Sequence, residues 1–216
     1  MVISESEPRI GFMGGSFNPV HYGHLRVARD VKQRLRLDHM YLMPAAQSPL
    51  KAQHSVTANH RVAMLKAALQ AFPELALDCR EIGRAGPSFT VDSLSELREE
   101  FGSEASLYFV IGDDCLPTLH RWRQWRDLTT YANLIVTKRP GQFPLPVEEV
   151  AEWCRETEVD LETIDAMVCG GLARVECSLV NISSTELREG LNSNKGLEQV
   201  IPDSVIEYIN HHQLYR

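Results

Sequence analysis

Apolar residues along this chain form short continuous runs that alternate with helical stripes. The runs are four to eight residues long and rich in aliphatic side chains, which is typical of strands buried on both faces. Six runs predict strands, at residues 9–13, 39–43, 75–82, 106–111, 132–138 and 173–177.

Between these runs, apolar residues recur at intervals of three and four. In the first such segment the stripe is formed by Leu25, Ala28, Val31 and Leu35, one face of a helix. The same spacing predicts further helices, one of them interrupted by a proline at position 117. The predicted helices cover residues 24–37, 59–72, 90–101, 113–130 and 202–211, with a short helix from 183.

Strands that alternate with helices indicate an α/β fold. We expect a Rossmann-like, doubly wound, mostly parallel sheet of about five to six strands with helices on both faces. The pattern does not determine strand order. In such sheets ligands bind at the carboxyl ends of the strands, so the segments that follow strands are where chemistry is expected.

The length of 216 residues predicts one domain over 1–216, with residues 1–8 disordered. Apolar runs are too short to span a membrane, and the N-terminus has no basic and apolar leader. The five cysteines are scattered and odd in number, which favours reduced thiols and a cytoplasmic protein. Oligomeric state is open between a monomer and a small homo-oligomer.

The formal net charge is −7, and residues 147–165 alone account for it, with eight acids and one arginine. We interpret residues 142–168 as an acidic helical insert that faces solvent. The rest of the chain is balanced in charge. It has no broad basic face, which disfavours nucleic acid as a partner.

The segment from Gly11 to Leu25 combines the end of a strand, a turn and the start of a helix. Gly14 and Gly15 permit a tight turn and a close approach by an anion. His21 and His24 then fall in or beside the first helical turn, on one side of the helix. A helix N-terminus is a natural site for phosphate groups.

A second segment, residues 181–188, reads Asn-Ile-Ser-Ser-Thr-Glu-Leu-Arg. Ser183 and Glu186 have the spacing of an ordinary capping box. If Ser183 caps the helix, Ser184 and Thr185 keep free hydroxyls, and Arg188 follows one turn later. Hydroxyls, helix N–H groups and a guanidinium together suit a triphosphate.

These two segments resemble the two signatures of the nucleotidylyltransferase superfamily. Three further blocks narrow the resemblance: residues 87–94, residues 109–114 followed by Trp122, and residues 136–141. In this order the five blocks resemble the bacterial nicotinate-nucleotide adenylyltransferase family. They span most of the chain. Together they are a specific signal for the family, although each block alone is a weak one.

The resemblance implies an enzyme that joins ATP to nicotinate mononucleotide, with Mg²⁺ held mainly by the ATP phosphates and no metal site on the protein. It implies three groups of residues. Catalysis would depend on His21, His24 and Arg188. ATP would bind to Gly14, Gly15, Ser16, Phe17, Lys51, Gly112, Asp113, Ile182, Ser183, Ser184 and Thr185. Nicotinate mononucleotide would bind to Phe89, Thr90, Trp122 and Arg139.

Within the third group, Trp122 would stack on the nicotinate ring and the Phe89–Thr90 backbone would donate to its carboxylate. Trp125, three residues later, is equally well interpreted as a core anchor. We interpret Cys115 as structural, because it has no basic neighbour in sequence.

Three positions depart from the family pattern. Asn18 stands where many members have Asp, Phe89 replaces a frequent Tyr, and Leu50 stands where a His is common. A carboxylate role at position 18 and a phenolic hydrogen bond at position 89 are therefore lost, and a closing role for the loop around Lys51 is in doubt.

The expected nucleophile is a phosphate monoester with a second pKa of about 6, so it needs no side chain to remove a proton. Histidines near their free pKa of about 6.5 would then act as neutral or charged donors. The alternatives are a phosphopantetheine adenylyltransferase or cytidylyltransferase, and a nucleotide-sensing module without turnover. A class I aminoacyl-tRNA synthetase is disfavoured by chain length and by the missing basic surface.

Overall fold

The computed structural model describes residues 7–47, 56–139, 141–178, 187, 188, 190 and 199–215. Its centre is one six-stranded sheet in the order β3-β2-β1-β4-β5-β6, and every neighbouring pair is parallel. The strands are β1 Arg9–Gly15, β2 His39–Pro44, β3 Ala76–Leu77, β4 Ser106–Gly112, β5 Asn133–Thr137 and β6 Leu172–Val175. The order reverses between β1 and β4, which is where such sheets bind ligands.

Helices connect the strands of this sheet. The α-helices that lie wholly within the described residues are α1 Tyr22–Arg34, α2 Ala58–Leu69, α3 Arg80–Gly83, α4 Thr90–Phe101, α5 Leu128–Tyr131, α6 Glu148–Thr157, α7 Leu161–Asp165 and α8 Asp203–His211. Two 3₁₀ helices, Asp113–Arg121 and Trp125–Asp127, follow β4. Within the described residues no helix is both long and apolar enough to cross a membrane.

The core lies on both faces of the sheet. Along β4, Leu107 and Phe109 pack in the cluster that contains the apolar residues of α4 and α6. Tyr108 and Val110 pack in the opposite cluster, with α1, α2 and α8. Successive side chains of a strand point to opposite faces, so an apolar run of this kind needs cover on both sides. The predicted doubly wound Rossmann-like fold is confirmed.

Two predicted elements differ from the structure, one in its length and the other in the kind of helix. The strand predicted at 75–82 is only two residues long, because the Asp78 carboxylate accepts hydrogen bonds from the backbone N–H and Nε of Arg80, at 2.8 and 2.7 Å. This local turn starts α3. The helix predicted at 113–130 is mostly 3₁₀, since Pro117 lacks an N–H and Gln124 has a left-handed backbone (φ +48°).

The predicted boundaries of β1 and α1 are displaced by two residues each. β1 runs to Gly15 instead of residue 13, and α1 begins at Tyr22 instead of residue 24. The loop between them is therefore only residues 16–21. The other boundaries agree within a few residues, and the bounds of α4 coincide with the prediction.

Candidate active site

Gly14 and Gly15 close β1, and the packing around them adds a structural reason for glycine at both positions. Neither has a positive φ. A Cβ on Gly14 would lie 2.9 Å from the Phe109 ring, and one on Gly15 would lie 3.0 Å from the Phe17 ring. Phe17 itself has a left-handed backbone (φ +45°) and is fully buried. The glycines are needed because two phenyl rings pack against this strand end.

His21 and His24 form a capping box at the start of α1. His21 is the N-cap, and its Nδ1 accepts a hydrogen bond from the Gly23 N–H at 3.1 Å. In return, Nδ1 of His24 accepts from the His21 N–H at 3.3 Å. The rings lie with centroids 3.7 Å apart. Because each Nδ1 is an acceptor, each neutral ring carries its proton on Nε2.

Both histidines are buried, with 2% of His21 and 7% of His24 exposed. Nε2 of His21 has no hydrogen-bond partner within the described part of the chain. A buried N–H donor without a partner is costly unless a ligand or water satisfies it. An acceptor such as a phosphate oxygen would satisfy this donor.

Burial, and to a smaller extent the positive charge of Arg139, together lower the pKa of His21 to about 3. The sequence-based expectation that this ring titrates near its free pKa is therefore wrong. His21 is a neutral donor at physiological pH, and without a ligand it does not become an imidazolium there.

Residues at the ends of β4 and β5 lie beside the histidines. The Arg139 backbone N–H donates to Oδ1 of Asp113 at 2.9 Å, and Arg139 Nε lies 3.2 Å from Oδ1 of Asp114. A Cβ on Gly112 would overlap Asp114 Oδ1 at 2.1 Å and Arg139 Nε at 2.5 Å. The structure thus brings Arg139, predicted for the nicotinate nucleotide, into the electrostatic range of His21.

The described part of the second signature reaches the same loop. Nη1 of Arg188 donates to the carbonyl oxygen of Asn18 at 2.9 Å, and Leu187 is buried in the core. Arg188 is thus brought next to the loop that carries His21. Five of the predicted ATP-binding residues lie outside the described residues, as does the departure at Leu50: Lys51, Ile182, Ser183, Ser184 and Thr185.

The predicted nicotinate block begins α4. Phe89 is the N-cap and Thr90 the first helical residue. Preceding them, Ser88 accepts a hydrogen bond on Oγ from the Ala46 N–H at 3.0 Å, which ties the block to the loop after β2. The guanidinium of Arg123 lies 5.1 Å from the centre of the Phe89 ring.

The two tryptophans after β4 differ in environment. Trp125 is buried in the core and contacts Trp153 edge-on, with centroids 5.2 Å apart, so it is a core anchor. Trp122 is only partly buried against the same cluster. Its stacking on the nicotinate ring stays a prediction.

Sequence reasoning missed Arg61, which lies fully buried in α2. Its guanidinium donates to three carbonyl oxygens: Ser16 at 2.7 Å, Ala45 at 2.6 Å and Ala46 at 3.0 Å. It therefore joins the loop after β1 to the loop after β2. The available signal was an arginine within the apolar spacing of a helix, in register with Met64, Leu65 and Ala68.

Glu81 was also missed. Burial raises the pKa of this carboxyl, while hydrogen bonds from Ser93 and Ser88 and the nearby Arg84 lower it. Its Oε1 accepts from the Ser93 hydroxyl at 2.7 Å. Through this hydrogen bond Glu81 holds the N-terminal part of α4 in place.

The chemical character of the site follows from these groups. His21, His24, Arg139 and Arg188 supply N–H donors and positive charge at the carboxyl edge of β1, β4 and β5. No three His, Cys, Asp or Glu side chains cluster as metal ligands among the described residues. The arrangement suits phosphate groups, which need donors and cations.

Comparisons with known proteins agree with this chemistry. The sequence model of the cytidylyltransferase-like family matches residues 12–190, so the chain belongs to that family and is a nucleotidyltransferase. A protein of Cellvibrio japonicus named "Probable nicotinate-nucleotide adenylyltransferase" is 40% identical over 209 residues, covering 97% of this chain and 99% of the relative. One of the same name from Chromobacterium violaceum is 41% identical over 96% and 99% of the two chains. Within the nucleotidyltransferases, the chain therefore belongs to the nicotinate-nucleotide adenylyltransferases.

A solved structure supports the fold. Plasmodium falciparum nicotinic acid mononucleotide adenylyltransferase, complexed with NaAD, has a TM-score of 0.74 at 20% identity. The match covers 96% of this chain and 97% of the other. The similarity extends over nearly the whole of both chains, which places the six-stranded sheet in the same fold.

Proposed function

We propose that this chain transfers the adenylyl group of ATP to nicotinate mononucleotide by direct in-line displacement. The products are nicotinate adenine dinucleotide and pyrophosphate, a step of NAD biosynthesis. The observation that carries the proposal is the pair His21 and His24, held by a capping box with both Nδ1 atoms occupied and both protons on Nε2. Family membership and the relatives' names support the same reaction.

The reaction needs positioning and charge stabilisation more than acid–base chemistry. The phosphate of nicotinate mononucleotide attacks the α-phosphorus of ATP, a new P–O bond forms, and the bond to pyrophosphate breaks. The attacking phosphate is mostly dianionic at neutral pH, so no base is required. Negative charge grows on the α-phosphate oxygens and the leaving pyrophosphate, where fixed donors lower the barrier.

The low pKa of His21 suits this role. A neutral Nε2–H donor is already present before ATP binds, and no charge has to be desolvated when the site fills. Two arginines add positive charge at the same edge of the sheet: Arg188 contacts the loop after β1, and Arg139 follows β5. We propose that Arg139 meets the phosphate of the nicotinate nucleotide where the two substrates join, and that Arg188 contacts the ATP phosphates.

The two substrates would occupy different parts of the edge. ATP would lie along the loop after β1 and the second signature, with the ribose near Gly112 and Asp113. Oδ1 of Asp113 already accepts from the Arg139 N–H, so a ribose hydroxyl would use the remaining acceptor capacity. The nicotinate ring would lie between Trp122 and the N-terminus of α4 at Phe89 and Thr90.

We propose that Mg²⁺ enters with ATP and is held by its phosphates and by water. The residues near the histidines suit this arrangement, because the charge of Arg139 reaches His21 and the carboxylates of Asp113 and Asp114 are already engaged by Arg139. Bound in that way, Mg²⁺ would neutralise charge on the β- and γ-phosphates.

The experiment that tests the function is a pyrophosphate-release assay with ATP and Mg²⁺ against a panel of acceptors. We expect turnover with nicotinate mononucleotide, and none with phosphopantetheine. Turnover with phosphopantetheine, or with CTP as the donor, would replace the proposal by a sister transferase. ATP binding with no pyrophosphate release on any acceptor would indicate a nucleotide-sensing module.

The amide analogue, nicotinamide mononucleotide, tests the acceptor pocket in the same assay. Backbone donors at Phe89 and Thr90 that pair with the ring carboxylate would be left poorly matched by an amide. We therefore expect kcat/KM to be lower for the amide by about two orders of magnitude or more. Equal kcat/KM for acid and amide would contradict a carboxylate-reading pocket.

We also propose a cytoplasmic location. All five cysteines are free thiols, which suits a reducing compartment. We propose either a monomer or a small homo-oligomer, and a measurement of the protein's mass in solution would decide between them.

A further inference from the structure

Asn18 joins three parts of the chain that are far apart in sequence. It lies in the loop between β1 and α1 and is only 5% exposed. Its backbone carbonyl accepts from Nη1 of Arg188 at 2.9 Å. Its side-chain Oδ1 accepts from the Tyr215 hydroxyl at 2.5 Å. The end of the chain thus contacts the same residue as the second signature.

Tyr215 reaches this position by a tight turn after α8. The Leu214 N–H donates to the Ile209 carbonyl at 3.0 Å, and Gln213 and Tyr215 both have left-handed backbones (φ +52° and +62°). The Leu214 side chain packs against the core, and α8 packs on α2. These contacts fix the turn on the core, and they place the phenol against the loop between β1 and α1.

The chemistry of the phenol agrees with a donor role. Burial raises the pKa of Tyr215 above its usual value, while the positive charges of Arg188 and Arg61 act in the opposite direction. The hydroxyl therefore keeps its proton at physiological pH. An amide oxygen is a good acceptor for it, so Asn at this position makes the hydrogen bond without adding a negative charge beside Arg188.

We propose that Tyr215 is a positioning residue of the ATP site: its hydroxyl fixes Asn18, and through Asn18 the loop 16–21 and Arg188 keep their places. The proposal rests on the proposed function, because it assumes that this loop and Arg188 bind ATP.

The proposal predicts an effect on one substrate only. Without the phenolic hydroxyl, the buried Oδ1 of Asn18 loses the hydrogen bond from Tyr215, and the loop gains alternatives to the conformation that we propose binds phosphate. Phe89, Thr90 and Trp122 lie on other elements, and the described structure gives them no contact with Tyr215. ATP affinity should fall, whereas the affinity for nicotinate mononucleotide should not.

The test compares Tyr215→Phe with a matched control, Tyr208→Phe. Tyr208 lies in α8 and its hydroxyl is hydrogen-bonded to Nδ1 of His60 at 3.0 Å, away from the loop. We expect Tyr215→Phe to raise KM for ATP and the Kd for ATP by about three- to tenfold, the effect of one lost hydrogen bond. KM for nicotinate mononucleotide should stay within about twofold, and Tyr208→Phe should change neither KM.

Several results would overturn the positioning role. They are an unchanged ATP Kd in Tyr215→Phe, an equal rise in both KM values, or an equal effect of Tyr208→Phe. A double-mutant cycle with Asn18→Ala adds a further check, since the effects of the two substitutions on ATP affinity should be far from additive. Additive effects would contradict the proposal.

The Kd for ATP, measured by calorimetry without a second substrate, separates this proposal from the proposed function. If no variant and no wild-type protein forms nicotinate adenine dinucleotide, the function fails, but a weaker ATP Kd in Tyr215→Phe would still support the positioning role. Thermal unfolding of each variant identifies a folding defect, and a loss of ATP affinity that only follows a loss of folded protein would refute the proposal.

Discussion

At the scale of single residues, the paired histidines show how one side chain can serve the backbone and a ligand together. Each imidazole uses Nδ1 to satisfy an N–H at the start of α1, and this fixes both the tautomer and the orientation of the ring. The opposite nitrogen of each ring then carries a proton. Each histidine therefore caps the helix through Nδ1 and can donate to a phosphate through Nε2, as we propose.

The first prediction concerns turnover. We expect His21→Ala or His24→Ala to lower kcat by about 10²–10³-fold, the usual cost of a lost transition-state donor. Alanine also removes a cap, which costs about 1 kcal/mol of stability. His21→Asn separates the two effects, because Asn can cap the helix but does not reproduce the Nε2 donor. Near wild-type kcat in either alanine variant would contradict the catalytic role.

The second prediction concerns pH. The pKa of His21 is about 3 in the folded protein and about 6.5 when unfolded, so between these values the unfolded state binds the extra proton. The free energy of unfolding should therefore fall as pH decreases below about 6.5, by at most about 1.4 kcal/mol per pH unit from this group.

Urea unfolding at several pH values between about 7 and 5 measures this slope. His21→Asn cannot titrate in that range, and its stability should depend less steeply on pH than that of the wild type. Parallel pH dependences for the two proteins would show that His21 is not buried in its neutral form.

At the scale of elements, α2 holds the edge of the sheet together through Arg61. The loops after β1 and β2 are neighbours, because their strands are paired in parallel with Gly15 beside Pro44. Their carbonyl groups point into a space that one guanidinium fills. A planar fork with five donors can serve three carbonyls at once, which a single ammonium does less well.

The third prediction follows from this geometry. Arg61→Met would leave the Ser16, Ala45 and Ala46 carbonyls without their charged donor, and we expect a loss of about 3 kcal/mol or more in the free energy of unfolding. Lys66→Met, at an exposed position of the same helix, is the matched control and should change stability by less than about 0.5 kcal/mol. Chemical denaturation measures both, and similar values for the two variants would contradict the role of Arg61.

At the scale of the whole molecule, one end of β1 leads to the candidate active site and the other end contributes to stability. The carboxyl end leads to the histidines, and the amino end is fixed by Arg9. Its guanidinium donates to the carbonyls of Leu35 at 2.9 Å and Asp165 at 2.7 Å, pairs with the Asp165 carboxylate, and lies over the Tyr108 ring. The centre strand is thus fastened to α1 and α7 at the edge remote from the site.

The fourth prediction distinguishes these two edges. We expect Arg9→Met to lower the free energy of unfolding by about 1–3 kcal/mol, the cost of losing charged hydrogen bonds to partly buried carbonyls, while both KM values stay within about twofold. Arg155→Met breaks only an exposed ion pair with Glu148 and should leave stability unchanged. A clear rise in either KM for Arg9→Met would mean that the two edges are coupled.

Much of this protein was predictable from local pattern. The apolar run of β4 and the stripe of α4 are dense and bounded by clear turn residues, so both were located correctly from sequence. The histidine motif and Arg188 were found because the residue types and their spacing are themselves the signal. Lys51 and residues 182–185 stay predictions, since they lie outside the described structure.

Other features depend on contacts between distant segments. The short β3 and the 3₁₀ helices after β4 arise from Asp78, Pro117 and Gln124, whose effects on the backbone compete with an apolar pattern that looks regular. Arg61 and Glu81 have no sequence signal strong enough to separate them from surface charges. Their importance comes from burial, which is a property of the packed molecule.

The sequence by itself therefore determined the class of fold, the family and the residue types that we propose bind phosphate, because periodicity and motif spacing are local properties of the chain. Only the tertiary structure decided the strand order, the low pKa of His21 and the partners of Asn18. Each depends on residues brought together from far apart: Arg139 beside His21, and Arg188 and Tyr215 on Asn18. Desolvation and hydrogen-bond partners exist only once the chain is packed, so no local pattern encodes them.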